Sequence, residues 1–232
     1  MDYRNLTVIL PTLNEKETIG KLIKLLSNAY SGIKIIVVDD NSTDGTIEIV
    51  KSLASSMGNV RLIERSGKEK GLTGSIIDGI MASKTKYVVV MDADMQHPFE
   101  IIKEIRKKLY SGNNLVVAVR SKVPHWSLYR KLISKMFMYF GYIVLFLSRK
   151  PICSDIMSGY FGIERQLFVD TYKANEKRFV KTGYKVLFDL LKCMDKKSVK
   201  IAEVPYVFHI REYGSSKAGV KQGLALLKSF FS

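Results

Sequence analysis

Asp92-Ala93-Asp94-Met95-Gln96 carries the sharpest chemical pattern in the chain. In an extended turn, side chains two apart point the same way. Two carboxylates and an amide oxygen then converge on a hard divalent cation, Mg2+ or Mn2+. Such a cation bridges phosphate oxygens and neutralises a leaving pyrophosphate. The competing reading is an acidic loop whose aspartates cap the next helix. Asp39-Asp40-Asn41-Ser42-Thr43-Asp44-Gly45 offers a carboxylate to a base or ribose. Equally, Ser42 or Thr43 is an N-cap there and Gly45 a turn residue. Arg120, Arg130, Lys131, Lys185, Arg211 and Lys217 are candidate phosphate binders, since a guanidinium matches phosphate bidentately and an ammonium acts as a point charge. Gly214-Ser215-Ser216-Lys217 adds a small-residue loop beside a lysine, but no Walker A sequence exists. His97, His125 and His209 show no ligand spacing and read as non-catalytic. Neither a Gly-x-Ser-x-Gly elbow nor a Cys–His pairing suggests a hydrolase.

The elements that must position these groups follow from hydrophobic pattern. Apolar runs over Leu6–Leu10, ended by Pro11, and over Ile33–Val38, Val60–Ile63, Tyr87–Met91 and Leu115–Val119 read as strands. Helical spacing covers Asn14–Leu26, Thr43–Ser55, Gly74–Ser83 and Pro98–Tyr110. Alternating strands and helices imply βαβ units and a parallel sheet covered on both faces. Ligands of such sheets sit beyond the strand carboxyl ends. Those ends are Pro11–Glu15, Asp39–Asp44, Asp92–Gln96 and Arg120. Polar residues therefore gather at four successive strand ends, more consistently than turn propensity requires.

The 232 residues include 37 basic and 22 acidic ones, a formal charge of +15. Residues 1–119 hold 16 basic and 14 acidic residues, against 21 and 8 over 120–232, so the two parts carry +2 and +13. Nucleic acid, an anionic membrane surface and a phosphorylated substrate all fit such a basic half, as does a merely solvated lysine-rich surface. Nucleic acid is the weakest reading, because the chain lacks a basic recognition helix, a zinc-finger pattern and RNA-binding aromatic motifs. Apolar types at 47% and charged types at 25% suit a folded globular chain. Cys153 and Cys193 are the only cysteines, which gives no disulfide framework and a reducing compartment as the default. No signal-peptide pattern opens the chain. The 12-residue apolar segment Met136–Leu147 is too short to span a bilayer, which needs about 20 residues. It is either a buried core helix or, given Arg130, Lys131 and Lys135 before it and Arg149 and Lys150 after it, an interfacial one. Val220, Leu224, Leu227 and Phe231 recur at helical spacing in the tail.

Taken in order, these motifs resemble the inverting family 2 glycosyltransferases of GT-A fold. The resemblance rests on Val8-Ile9-Leu10-Pro11-Thr12-Leu13-Asn14-Glu15, Val37–Thr46 and Met91–Pro98. Trp126–Ser134, Ser154–Phe161, Gly183-Tyr184-Lys185 and Val204–Lys217 narrow it to the polyprenyl-phosphate sugar synthases, dolichol-phosphate mannose synthases above all. It implies one GT-A unit over residues 1–232: a nucleotide-sugar half (1–119), an acceptor half (120–219) and a C-terminal amphipathic helix (220–232). Some relatives carry transmembrane helices after this region, but the sequence holds no apolar stretch of about 18 residues, so no transmembrane domain is expected. It also implies transfer of mannose from GDP-mannose to dolichyl or another polyprenyl phosphate, with UDP-glucose as the alternative donor. Pro11, Asn14, Glu15, Asp39 and Asp40 would line the nucleotide pocket. Asp92, Asp94 and Gln96 would hold Mg2+ or Mn2+ and the donor pyrophosphate. Arg120, Arg130 and Ser134 would hold the acceptor phosphate, and Arg211 and Lys217 would close over the donor. Asp94, Arg120, Arg130 and Arg211 would then be the catalytic set. Asp189 stands where relatives carry an acidic residue and reads as structural. The implied place is the cytoplasmic face of a membrane, peripherally bound, with a membrane-anchored partner subunit as a further expectation and no nucleic acid.

Overall fold

Runs of Val and Ile form strands because branched side chains pack well on a pleated surface covered from both sides. In the computed structural model, which describes residues 2–124 and 126–210, they build one seven-stranded sheet of order β3-β2-β1-β4-β6-β5-β7. The strands are β1 (Leu6–Thr12), β2 (Lys34–Asp39), β3 (Val60–Glu64), β4 (Tyr87–Val90), β5 (Leu115–Lys122), β6 (Phe161–Glu164) and β7 (Ile201–Val207). Neighbours pair in parallel except β6, which runs antiparallel to both β4 and β5. The sheet is thus mostly parallel, with β1, β2, β4 and β5 ending at one edge.

Helices α1 (Lys16–Ala29), α2 (Thr46–Ser56), α3 (Leu72–Ala82), α4 (Ile101–Tyr110), α5 (Leu128–Leu147), α6 (Arg165–Ala174) and α7 (Val186–Cys193) connect the strands. Helix α4 buries Ile102, Ile105 and Leu109 at i, i+3, i+7 and leaves Lys103 and Lys107 in water. Each buried side chain of that size contributes about 1.5–3 kcal/mol. Helix α3 lies close to the sheet because Gly79 has no Cβ; one placed there would sit 2.5 Å from Ile9.

Several expected boundaries shift. Strand β1 continues through Pro11, which is in register with Val38. The β1–β4 ladder has already stopped at Ile9–Val90, so the missing N–H costs no sheet bond there. Helices α1, α2 and α4 begin two to three residues later than their spacing suggests, because the strand-end loops use those residues. The buried-helix alternative for Met136–Leu147 is overturned. Helix α5 is longer than expected and buries only Gly141 and Leu145. Leu128, Tyr129, Phe146 and Leu147 are 73–84% exposed. Elements β6, α6, α7 and β7 were not anticipated. Arg211, Lys217 and the helix expected from residue 220 lie outside the described residues.

Candidate active site

The ends of β1 and β2 are stitched together before any ligand arrives. Thr12 Oγ1 donates to Asp39 Oδ2 at 2.7 Å, while Ser42 donates through its backbone N–H to Oδ1 at 2.7 Å and through its hydroxyl to Oδ2 at 2.6 Å. Asp39 is fully buried. Its first task is therefore to fold the loop. Ser42 Oγ also accepts the Asn14 N–H, and Asn14 Oδ1 accepts the Thr43 N–H. The Glu15 N–H bonds Thr46 Oγ1 at 2.9 Å. Asp44, not Ser42 or Thr43, bonds the first turn of α2: its Oδ1 accepts the Thr46 N–H, and Oδ2 accepts the Lys16 N–H. Pro11, Asn14, Glu15 and Asp39 are thus brought together as one wall.

Asp40 sits in a different network, which sequence patterns did not reveal. It is buried, with Oδ1 accepting Arg65 Nη1 and Oδ2 the Gly71 N–H. Arg65, itself 5% exposed, also donates Nε to Asp78 at 2.9 Å, and Lys68 reaches the same Asp78 oxygen. Arg65 thereby ties the end of β2 to the start of α3. Its partners lie 25 and 13 residues away, so no local motif announces them.

At the end of β4 the backbone departs from ordinary geometry. Met95 takes φ +63°, and Asn14 and Asn41 take +53° and +66° at the neighbouring strand ends. Left-handed backbone is uncommon outside glycine and gathers at ligand sites. Asp94 Oδ1 accepts the Gln96 N–H at 3.1 Å. Gln96 exchanges two hydrogen bonds with His209, both at 3.0 Å: Nε2 to the His209 carbonyl, and the His209 N–H to the Gln96 carbonyl. The bond from Nε2 orients the side-chain amide. Among the described residues, no group of three His, Cys, Asp or Glu side chains forms a metal cage. Two carboxylates and one amide are an all-oxygen set, which fits Mg2+ or Mn2+ with substrate oxygens completing the shell and does not fit a thiolate metal.

His97 is the residue sequence reasoning undervalued. It is buried, stacks on Tyr160 at 4.9 Å, and accepts the Asp92 N–H through Nδ1 at 3.1 Å. That bond assigns the proton to Nε2, which lies 3.9 Å from Asp92 Oδ2. Burial lowers its pKa to about 4, so the ring is neutral and braces Asp92. Its place inside the Met91–Pro98 segment was its sequence signal.

The basic side is built at the end of β5. Arg120 donates Nε and Nη2 to the two oxygens of Asp155 at 2.7 and 2.8 Å, in a largely buried fork-to-fork pair. Burial pushes the Asp155 carboxyl up, but the hydrogen bonds and charge of Arg120 outweigh it and hold it below the usual range. Arg120 therefore enters the site with its charge balanced, which its expected role did not foresee. Trp126 carries Arg130 over its ring at 4.4 Å and Arg120 at 5.3 Å. Ser134 follows Arg130 by one turn of α5, on the same face. Asp189 accepts the Val180 N–H and pairs with Lys192 at 3.5 Å in the core, the structural place expected of it.

The Glycosyl transferase family 2 profile matches residues 7–171. Three curated relatives carry the name dolichol-phosphate mannosyltransferase. The chain is 37% identical to the one from Pyrococcus furiosus, covering 91% of this chain and 58% of the relative. Identity is 33% to the one from Mycosarcoma maydis, with 91% and 72% covered, and 32% to the one from Saccharomyces cerevisiae, with 97% and 86% covered. The chain thus spans just over half the length of the Pyrococcus protein. Among solved structures, glucosyl-3-phosphoglycerate synthase from Mycobacterium tuberculosis, in complex with Mn2+, UDP-glucose and phosphoglyceric acid, has a TM-score of 0.66 at 20% identity, over 98% of this chain and 80% of that one. Mannosyl-3-phosphoglycerate synthase from Rubrobacter xylanophilus has a TM-score of 0.64 at 17% identity, with 97% and 72% covered. These likenesses establish the GT-A fold. With the profile spanning most of the chain and relatives more than 30% identical over nearly all of it, the chain belongs to glycosyl transferase family 2.

Proposed function

We propose that the protein transfers mannose from GDP-mannose to dolichyl or another polyprenyl phosphate, with inversion at the sugar C1. The observation that carries this reading is the meeting of two opposite surfaces. Asp92, the first of the oxygen set Asp92, Asp94 and Gln96, lies within electrostatic reach of Arg120 and Lys185. The names of the curated relatives support the sugar and the acceptor.

Asp92, Asp94 and Gln96 hold Mg2+ or Mn2+, which neutralises the donor pyrophosphate when bound. The loops of Pro11–Glu15 and Asp39–Asp40 form the nucleotide wall. Arg120, Arg130 and Ser134 orient the acceptor phosphate, and Arg211 and Lys217 serve the donor. A phosphate oxygen attacks C1, the new C–O bond forms as the bond to the diphosphate breaks, and the electron pair leaves with GDP. The phosphate is already ionised, so no general base is needed. The structural engagement of Asp189 agrees with that. Catalysis is then positioning and charge balance.

The exposed apolar face of α5 with its basic flanks supports peripheral binding to an anionic membrane on its cytoplasmic face. No helix among the described residues is long and apolar enough to cross a membrane. A membrane-anchored partner subunit is a compatible arrangement, and nucleic acid is not a partner in this reading.

The test is transfer of radiolabelled mannose from GDP-mannose to dolichyl phosphate in detergent, with Mg2+ or Mn2+ and with EDTA, beside UDP-glucose. Lipid product that needs the metal and GDP-mannose is expected. Product from UDP-glucose alone would reassign the donor, and none from either would defeat the reading.

A further inference from the structure

Lys185 immediately precedes α7, and the Met157 carbonyl holds its ammonium two residues from the Asp155 that pairs with Arg120. Its charge interacts with those of Arg120, Asp155, Asp92 and Arg130. The ammonium has three N–H donors, and among the described residues it makes one hydrogen bond, to the Met157 carbonyl at 2.7 Å. The Tyr184 ring lies 4.7 Å away. A carbonyl carries no formal charge; of the two carboxylates whose charge acts on Lys185, Asp155 already gives both oxygens to Arg120, and Asp92 belongs to the proposed metal set. Lys185 is half-buried, so its remaining donors face a partly open site where an arriving anion would complete them. Burial, and secondarily the charge of Arg120, lowers its pKa to about 8, so at neutral pH the group remains mostly protonated.

The segment between Asp155 and Gly159 explains how the cation is held. Asp155 fixes Arg120, Met157 fixes Lys185, and Ser158 Oγ donates to the Ala118 carbonyl at 2.7 Å. A Cβ at Gly159 would lie 3.5 Å from Asp92 Oδ2, so the same loop passes beside the proposed metal ligand. Arg120 and Asp155 form a balanced pair, leaving Lys185 to supply net positive charge beside it.

We propose that Lys185 is a phosphate-binding residue that donates its ammonium to the acceptor phosphate, with Asp155 holding Arg120 as its positioned neighbour. This rests on the transferase reading above. The donor diphosphate offers the same oxygen chemistry, and the experiment separates the two.

Calorimetric titration of the full chain in Mg2+ with farnesyl phosphate, with farnesol, and with GDP tests the assignment without turnover. The wild type is expected to bind farnesyl phosphate more tightly than farnesol. Lys185→Met should weaken farnesyl phosphate at least about tenfold, as loss of a charge-assisted bond does. Binding of GDP and farnesol should stay within about twofold, and Lys185→Arg should restore most of the loss. If Lys185→Met does not fold, Lys185→Gln keeps a donor for Met157 and carries the same comparison. Unchanged farnesyl phosphate binding, or an equal loss for GDP, would overturn the assignment while leaving the transferase reading intact. A wild type that binds GDP but no prenyl phosphate would overturn both.

Discussion

The wall at the ends of β1 and β2 and the cluster at the end of β5 meet at the Asp92 loop, yet they are built on opposite principles. In the wall, most polar groups already have protein partners. Asp39 is held by Thr12 and Ser42, Asp40 by Arg65 and Gly71, and Asp44 by Thr46 and Lys16. Such a surface is shaped in advance and offers edges and backbone to a ligand. In the cluster, Arg120 pairs with Asp155, Lys185 bonds a carbonyl, and Arg130 lies over the Trp126 ring. Helix α5 beside it shows large apolar side chains to water. One region is held together by its own side chains, and the other presents basic and apolar groups at its surface.

The largest expected effect lies where the two regions meet. Asp92→Ala or Asp94→Ala should reduce transfer by about three orders of magnitude, the scale of losing a group that stabilises transition-state charge. A radiolabel assay on folded variants checks it, and near-normal rates would remove the metal from the site. Next comes the wall. Arg65→Ala leaves Asp40 buried without its counter-ion and should cost about 3–5 kcal/mol. A Tm measurement reads this, and Asp40→Asn combined with Arg65→Met should recover much of the loss because no unpaired charge remains.

A smaller effect is set by pH. The folded pKa of His97, about 4, lies below the ordinary 6.5. The unfolded chain therefore binds the proton first, and stability is lost as pH falls from 6.5 toward 4. At pH 5 the His97 contribution is about 2 kcal/mol. Tm profiles of wild type and His97→Asn should diverge by that amount between pH 7 and 5, with the variant flatter. The smallest effect on stability belongs to α5. Leu132→Glu and Phe146→Glu, at sites 68% and 73% exposed, should change stability by less than about 0.5 kcal/mol. Binding to anionic vesicles should nevertheless fall several-fold in a sedimentation assay. A large loss of Tm with unchanged vesicle binding would mean that α5 packs on protein instead.

Much of the first half was legible because its signals are local. Five-residue apolar runs gave β1 to β5 to within a few residues, and polar punctuation after them located the loops that meet. The second half was less legible for physical reasons. Strand β6 has only four residues and runs against its neighbours, which no periodicity encodes. Helix α5 matches a buried helix in composition, and only its packing shows which side chains remain in water. The later starts of α1 and α2 came from Asn14 and Asp44, whose side-chain loop bonds compete with helix formation.

By itself, the sequence determined that strands and helices alternate, that two carboxylates and an amide follow a buried strand, and that positive charge concentrates after residue 119. These are properties of neighbours along the chain, and residue type and spacing carry them. Only the tertiary structure decided which charges cancel. Asp155 reaches Arg120 across 35 positions, Arg65 reaches Asp40 across 25, and Lys185 reaches Met157 across 28. Hydrophobic periodicity reports how far a side chain leaves water, but a counter-ion is chosen by proximity in space. That proximity exists only once the sheet has brought its strand ends to one edge.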